Sequence, residues 1–146
     1  MRIHVSAGGL GGATAKSGLL AIPLVNEKGT SAHLTEVDRR SGGQLTALRA
    51  VGDAPSKRFS FSTAPAGSLP AEQLLFAGLG SAETLDRQAL LRWAAAVTRK
   101  LAGRNVRRLA IDATPIVAAL KGDAPALYAN GAQCGELTAA AAIHLI

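Results

Sequence analysis

The spacing of hydrophobic and polar residues changes several times along the chain, and each change predicts a new element. Ser17–Val25 is a nearly continuous apolar run followed by the turn-like sequence Asn-Glu-Lys-Gly. A run of this length bounded by a turn signal favours a buried strand over a helix. A shorter alternating segment, Arg2–Ser6, predicts an opening strand, and Gly8–Gly12 after it predicts a flexible loop.

From Ala32 the apolar residues recur near helical spacing, with charged residues on the other side. The apolar positions are Leu34, Val37, Leu45, Leu48 and Val51. Gly42 and Gly43 interrupt this pattern, and a glycine inside a helix costs roughly 1 kcal/mol relative to alanine. We therefore expect a broken or kinked helix that ends at the turn 52–55.

Two strands are predicted next. Lys57–Thr63 alternates, with Phe59, Phe61 and Thr63 on one face, which is typical of a half-buried strand. Gln73–Leu79 is apolar and predicts a second strand that runs into a Gly-Leu-Gly turn.

An amphipathic helix follows, because the next apolar residues step by four. They are Leu85, Ala89, Trp93, Val97 and Leu101. Trp93 lies on this stripe and is expected to pack in the core. Thr84 is the predicted N-cap, and Gly103 is expected to end the helix.

The last third of the chain gives weaker patterns. Val106–Asp112 predicts a strand, Ile116–Leu120 a short helix and Glu136–Ile146 a final helix. Strands that alternate with helices predict an α/β fold of three αβα layers around a mixed, mostly parallel sheet. Residues 1–146 are expected to form a single domain.

Composition places the chain among globular, cytoplasmic proteins. Hydrophobic residues make up 48% of the chain and charged residues 18%, which is not a disordered composition. The single cysteine, Cys134, cannot form an internal disulfide, and no cysteine–histidine spacing predicts a zinc site. The N-terminus does not resemble a signal peptide, and no apolar stretch reaches the roughly 18 residues that span a membrane.

The formal net charge of +6 permits attraction to nucleic acid. The basic residues are spread along the chain, however, and aromatic residues are only 3% of it. Few side chains are therefore available to stack on single-stranded bases. A solvated basic surface is the favoured interpretation, and nucleic-acid binding stays an alternative.

No catalytic, cofactor-binding or metal-binding residue is predicted. The ten carboxylates show no ligand spacing and nearly all of them are interpreted as surface charges, and Cys134 has no motif with His4, His33 or His144. The glycine turns at Gly8–Gly12 and Gly80-Ser81 could expose backbone N–H groups to a phosphate. Neither completes a phosphate-binding motif, so tight turns explain both more simply.

Three segments in order resemble the N-terminal domain of the leucyl aminopeptidase family, the cytosol aminopeptidases. The first runs from Gly29-Thr30-Ser31-Ala32-His33-Leu34 into Val37-Asp38-Arg39-Arg40-Ser41-Gly42-Gly43-Gln44-Leu45. The second is Gln73-Leu74-Leu75-Phe76-Ala77-Gly78-Leu79-Gly80, and the third is the helix from Thr84 to Leu101 leading into the strand Val106–Ile111. The resemblance covers roughly residues 1–112 and implies a fold like the macro domain.

The resemblance also implies a function. In this family the active site lies in a separate C-terminal domain with two divalent metal ions, Zn or Mn. That domain's Asn-Thr-Asp-Ala-Glu-Gly-Arg-Leu motif does not occur in this chain. We therefore expect a non-catalytic domain that supports assembly of hexamers. Its expected partners are further copies of the same chain and a catalytic domain beyond Ile146.

A stand-alone macro-like module that binds a nucleotide or nucleic acid is the alternative function. Macro domains that hold ADP-ribose carry an acidic residue at the start of the second strand and an Asn-Ala-Ala-Asn stretch after it. Here the strand begins Ser17-Gly18-Leu19-Leu20, and Asn26 is the only match. The missing acidic residue weighs against ADP-ribose.

Overall fold

Four strands and four α-helices make up the described part of the chain. The structure is a computed structural model, and it describes residues 17–26, 30–100, 104, 106, 108–112 and 114–119. In chain order the elements are β1 Ser17–Val25, α1 Ala32–Ser41, α2 Gln44–Ala50, β2 Phe61–Pro65, β3 Ala71–Gly80, a 3-10 turn Ala82–Thr84, α3 Arg87–Arg99, β4 Leu109–Ile111 and α4 Thr114–Ala119.

Several expectations concern residues outside this described part. They include the opening strand Arg2–Ser6, the loop Gly8–Gly12, the stop signal Gly103, the thiol of Cys134 and the final helix Glu136–Ile146. Among the described helices, none is long and apolar enough to cross a membrane.

The sheet has the strand order β2-β3-β1-β4. Strand β1 lies in the middle and pairs in parallel with β3 and β4, while β2 pairs antiparallel with β3. The mixed, mostly parallel sheet of the sequence prediction is therefore confirmed.

Successive residues of the central strands face opposite sides of the sheet, and each side is covered by helices. On one side Leu20 and Ile22 pack with α1 and α2 around Leu34, Val37 and Leu45. On the other side Leu19 and Ala21 pack with α3 and α4 around Leu90, Trp93, Val97 and Ile116. Two apolar cores around one sheet make three layers, as predicted. The buried position of Trp93 is confirmed as well.

The break between α1 and α2 falls at the predicted glycines. Gly42 and Gly43 have φ values of 78° and 81°, a left-handed region that side chains disfavour. Ser31 caps α1, because its side chain accepts a hydrogen bond from the Leu34 N–H. The predicted helical stripe was wrong at its end, since Val51 is 70% exposed.

The predicted N-cap of α3 was also wrong. Asp86 caps the helix by accepting a hydrogen bond from the Ala89 N–H at 2.7 Å. Thr84 instead ends the 3-10 turn that precedes the helix. The carboxylate of Asp86, two residues after Thr84, accepts a hydrogen bond from the first turn of the helix. It also lies at the positive end of the helix dipole.

The strand prediction for Lys57–Thr63 was wrong at its start and in its buried face. β2 begins only at Phe61, because Lys57–Ser60 forms a turn in which the Ser60 N–H donates to the Lys57 carbonyl. Phe59 has a φ of 68° and is 45% exposed. Ala64, rather than Thr63, is the buried residue of the strand. β4 is likewise shorter than the predicted 106–112.

Candidate functional site at the carboxyl edge of the sheet

Because β1, β3 and β4 are parallel, their carboxyl ends meet at one edge, which we call the carboxyl edge. In open α/β sheets, ligands bind at this edge where neighbouring strands lead into helices on opposite faces. β1 leads into α1 on one face, whereas β3 and β4 lead into α3 and α4 on the other. The topology therefore defines two crevices, one between β1 and β3 and one between β1 and β4.

The backbone itself bridges the crevice between β1 and β3. The N–H of Asn26 donates to the carbonyl of Gly80 at 2.9 Å. Gly80 has a φ of 76°, a conformation that favours glycine, and the strand register shifts between Leu24 and Val25. The two strand ends are thus joined directly by a backbone hydrogen bond.

Side chains bridge the crevice between β1 and β4. His33, on the first turn of α1, contacts Asp112 through its Nε2 and the Oδ2 of the carboxylate. The side chains of His33 and Asp112 are only 22% and 7% exposed. Seventy-nine residues separate the two in the chain, so the contact ties α1 to the end of β4.

Asp112 is held in place by further hydrogen bonds. Its Oδ1 accepts from the N–H of Thr114 at 3.1 Å, at the start of α4. Its own N–H donates to the carbonyl of Ala21 in β1 at 2.9 Å. Both carboxylate oxygens of Asp112 are therefore engaged within the chain.

The turn at Gly80-Ser81 is occupied by local hydrogen bonds. The Ser81 side chain accepts from the N–H of Glu83 at 3.3 Å. The N-terminus of α3 already faces the carboxylate of Asp86. A phosphate at this helix end would meet that negative charge, so the geometry favours the tight-turn interpretation of the sequence.

Arg58 closes the same region from the side of β2. Its Nε donates to the carbonyl of Leu79 at 3.0 Å, and its Nη2 donates to the carbonyl and Oγ1 of Thr84 at 3.1 and 2.9 Å. The guanidinium thus ties the end of β3 to the 3-10 turn. The guanidinium of Arg58, which lies beside Gly80, is therefore already hydrogen-bonded to acceptors of the protein itself.

The carboxylates with shifted pKa values lie on α1, away from the carboxyl edge. Burial raises the pKa of Asp38, but hydrogen bonds from the Thr46 hydroxyl and from the N–H groups of Thr46 and Leu45 outweigh it and leave the pKa lowered. The hydrogen bond from Arg39 lowers the pKa of Glu36, and the same contact raises that of Arg39. The bonds of Asp38 connect α1 to α2, whereas Glu36 and Arg39 pair within α1.

Metal ligation finds little support in the described residues. They contain no group of three or more histidine, cysteine, aspartate or glutamate side chains that could hold an ion. Asp112 was interpreted from sequence as a surface charge, and its buried side chain corrects that interpretation. The signal that was missed is its position directly after a strand, which places it at the carboxyl edge.

One concave region, open to solvent, lies beside β2, whose first residue Phe61 pairs with Ala77 near the carboxyl end of β3. It has a volume of about 550 Å³. The lining is Leu48, Gly52, Asp53, Ala54, Pro55, Ser56, Lys57, Ser60, Phe61, Ser62 and Thr63. Two exposed apolar residues, Val51 and Phe59, are chain neighbours of this lining.

Comparison with known protein families identifies one relationship. The family model for the N-terminal domain of the cytosol aminopeptidase family matches residues 21–142, which is most of the chain. Comparison with curated proteins gave no significant match.

Proposed function

The chain belongs to the cytosol aminopeptidase family, as its N-terminal domain, and on this premise we propose that it is the non-catalytic domain of a metal-dependent leucyl aminopeptidase. In this role it supports subunit assembly and positions a C-terminal catalytic domain. The parent enzyme acts in the cytoplasm.

The observation that supports the non-catalytic role is that the chain's own contacts bridge the carboxyl edge. Both crevices in which an α/β domain binds ligands are bridged by the chain's own groups, Asn26 with Gly80 and His33 with Asp112. Catalysis needs a free acid, base or nucleophile within hydrogen-bonding reach of a substrate. Among the described residues, the histidine and the buried carboxylate at this edge contact each other, and no side-chain hydroxyl or thiol is hydrogen-bonded to either of them.

The two divalent ions, Zn or Mn, are proposed to belong to the catalytic domain. A catalytic zinc site uses three protein ligands and a structural site uses four. The pairing of His33 with Asp112 supplies two. These residues do not fit a resident metal centre, so no step of the reaction is assigned to this domain.

Hydrolysis by the pure chain tests this role. With leucine amide as substrate and Mn or Zn added, we expect no turnover above the metal-only blank. The parent enzyme, assayed in parallel, is the positive control. Metal-dependent turnover by the pure chain that a chelator abolishes would show that this domain is catalytic.

The same two bridges weigh against nucleotide binding as a stand-alone function. At the carboxyl edge the N–H of Asn26 already donates to the carbonyl of Gly80, so it is not available to a nucleotide phosphate. Titration calorimetry with ADP-ribose is expected to show no heat of binding at millimolar ligand. Saturable binding would instead favour the nucleotide-binding alternative.

For the assembly role, the exposed apolar residues next to β2 are the proposed subunit contact. Val51 and Phe59 are the two large hydrophobic side chains exposed in the described part of the chain. Phe59 is held at a positive φ, and its N–H donates to the carbonyl of Gly78. A bulky residue fixed in this strained region, with its ring in solvent, is typical of a functional constraint.

Substitution at both positions tests this contact. In the parent enzyme, Val51→Ser with Phe59→Ser is expected to reduce the oligomer measured by sedimentation velocity, because it removes apolar area from the contact. Ala50→Ser, at the neighbouring exposed position, is the matched control and should leave assembly unchanged. An intact oligomer in the double variant would exclude this surface.

A further inference from the structure

Strand β2 lies at one end of the sheet that the described residues form. In the order β2-β3-β1-β4 it pairs on one side with β3. The concave region lies along the strand and is lined by Phe61, Ser62 and Thr63. Within the described part of the chain, the outer side of β2 is therefore open to solvent.

The ladder with β3 determines which backbone groups point to this outer side. The N–H of Gly78 in β3 donates to the Ser60 carbonyl at 2.8 Å. In an antiparallel ladder every second residue bonds the neighbouring strand, so Ser62 is the next residue that bonds β3. Phe61 and Thr63 alternate with it, and their N–H and carbonyl groups point outward. The loop and side-chain hydrogen bonds of the described residues do not include these outward groups.

The outer side of β2 carries little protection against pairing with another strand. Natural edge strands commonly carry lysines or other charged side chains that prevent such pairing. Residues 60–65 are Ser-Phe-Ser-Thr-Ala-Pro and contain no charged side chain. Pro65, which has no N–H, blocks the edge only at the last residue of the strand. The segment before Pro65 can therefore bond a strand partner.

We propose that β2 pairs antiparallel with β2 of a second copy of this chain, so that the two sheets become one continuous sheet. The proposal rests on the subunit contact at Val51 and Phe59, which are chain neighbours of the same concave region. Antiparallel pairing suits a twofold dimer. A strand that offers an N–H and a carbonyl at alternate residues is complementary to a copy of itself.

The outward groups and Pro65 together select one register. When Phe61 pairs with Thr63 of the second copy, the two residues exchange both hydrogen bonds, and the twofold axis repeats the pair. In the register in which Thr63 faces Thr63, the carbonyl of Phe61 would face Pro65, which has no N–H to donate. The first register is therefore favoured. It places Ser62 directly opposite Ser62 of the second copy.

The residues that flank the strand agree with this register. Phe59 of one copy comes next to Pro65 of the other, and both are exposed. Lys57 of the second copy comes to the end of the sheet at which Glu72 lies in β3, across one intervening strand or about 10 Å. Lys57 and Glu72 are exposed and belong to neither of the ion pairs between described residues. Their opposite charges favour this register over a shifted one.

Removal of one backbone donor tests the pairing. Thr63→Pro removes an N–H that points away from β3, so the internal ladder is retained while the contact between copies loses that donor on both sides of the axis. Thr63→Ala keeps the N–H and is the matched control. In sedimentation equilibrium of the 146-residue chain, we expect a dimer that Thr63→Pro weakens by at least about tenfold and Thr63→Ala leaves unchanged. Circular dichroism verifies that both variants are folded.

Cross-linking gives a second measurement that needs no proline variant. Facing residues that do not bond each other in an antiparallel pair have Cα atoms about 4.5 Å apart, which is within disulfide range. In a Cys134→Ser background, Ser62→Cys is therefore expected to form a disulfide-linked dimer when oxidised glutathione is added. Ser56→Cys, at an exposed position before the strand, is the control and should cross-link far less.

The outcomes separate this proposal from the assembly role on which it rests. A monomer at all concentrations of the unmodified chain, equal dimerisation of Thr63→Pro and Thr63→Ala, or equal cross-linking of the two cysteine variants would each overturn the pairing. The subunit contact itself fails if Val51→Ser with Phe59→Ser leaves the oligomer of the parent enzyme intact. Loss of that oligomer in the double variant, with no effect of Thr63→Pro, would retain the contact and exclude the strand pairing.

Discussion

The two helical layers of this domain are held to the same sheet by different means. The α1–α2 layer is attached by polar contacts as well as by its core: Asp38 bonds Thr46 across the helix break, and the Ser68 N–H and hydroxyl both bond the Arg40 carbonyl. The other layer holds α3 and α4, and among the described residues the outer side chains of α3 make no hydrogen bond to another element. Its attachment comes mainly from apolar burial around Trp93.

This difference teaches where the chain can carry a functional surface. On the α1–α2 side, Arg39, Arg40 and Arg49 hydrogen-bond to neighbouring groups of the chain, although exposed contacts of this kind contribute little to stability. On the α3 side, stability is supplied by buried residues, and the exposed residues are free of that role. The two faces of a single helix can then be optimised separately.

Removal of Trp93 would break the α3 layer most severely. Trp93 is 1% exposed and is the largest fully buried side chain. Trp93→Ala is expected to lower the free energy of unfolding by about 3–5 kcal/mol, measured by urea denaturation. Trp93→Phe should cost far less, since the indole Nε1 is buried without a hydrogen-bond partner among the described residues. Similar losses for the two variants would mean that the indole N–H is bonded.

A substitution at Gly67 would test the attachment of the α1–α2 layer in the same way. A Cβ at Gly67 would lie 2.5 Å from the Arg40 carbonyl oxygen, and its φ is 61°. Gly67→Ala is expected to cost more than about 2 kcal/mol, because it combines a backbone clash with the left-handed penalty of about 1–2 kcal/mol. Gly42→Ala has a similar φ and open space around it, so it should cost only that penalty. Equal unfolding free energies would show that the loop moves aside.

Removal of a helix cap from either layer is expected to lower the free energy of unfolding by a smaller amount. Asp86→Ala removes the carboxylate that accepts the Ala89 N–H, and about 1 kcal/mol of stability should be lost. Ser31→Ala at the start of α1 should cost a similar amount. Thermal unfolding of both variants gives the comparison. An unchanged unfolding temperature for Asp86→Ala would show that Thr84 is the cap.

The smallest expected effect is a loss of stability of the α1–α2 layer at acidic pH. The pKa of Asp38 is lower in the folded state than its ordinary value, so the carboxylate stabilises the fold above that ordinary value. The contribution is lost as pH falls through the folded-state pKa. Between about pH 5 and pH 2, Asp38→Asn should therefore show a shallower loss of stability than the unmodified chain. Parallel curves for the two proteins would show that Asp38 is not involved.

Local patterns were sufficient to predict most of the elements. The apolar run Ser17–Val25 forms β1 with the predicted bounds, and the glycine pair at Gly42 breaks the helix where expected. These features depend on side-chain spacing and on the conformational freedom of glycine, which are properties of neighbouring residues. The three-layer α/β fold followed from their order.

The errors arose where distant groups decide the local structure. Alternation alone placed Phe59 in a strand, but the bond of its N–H to the Gly78 carbonyl holds it in a turn. A Cβ at Gly78 would lie 2.1 Å from the Lys57 carbonyl oxygen, which shows how closely the two segments approach. Asp112 was taken for a surface charge because its partner, His33, lies in another element.

The sequence by itself determined the identity and order of the elements, the absence of an aminopeptidase metal-binding motif and the relationship to the cytosol aminopeptidases. Only the tertiary structure decided the strand order, the contacts that bridge both crevices at the carboxyl edge and which arginines hydrogen-bond to other described residues. The physical reason is the range of the interactions. Periodicity and capping act within a few residues, whereas burial and hydrogen-bond partners depend on segments that meet only when the chain folds.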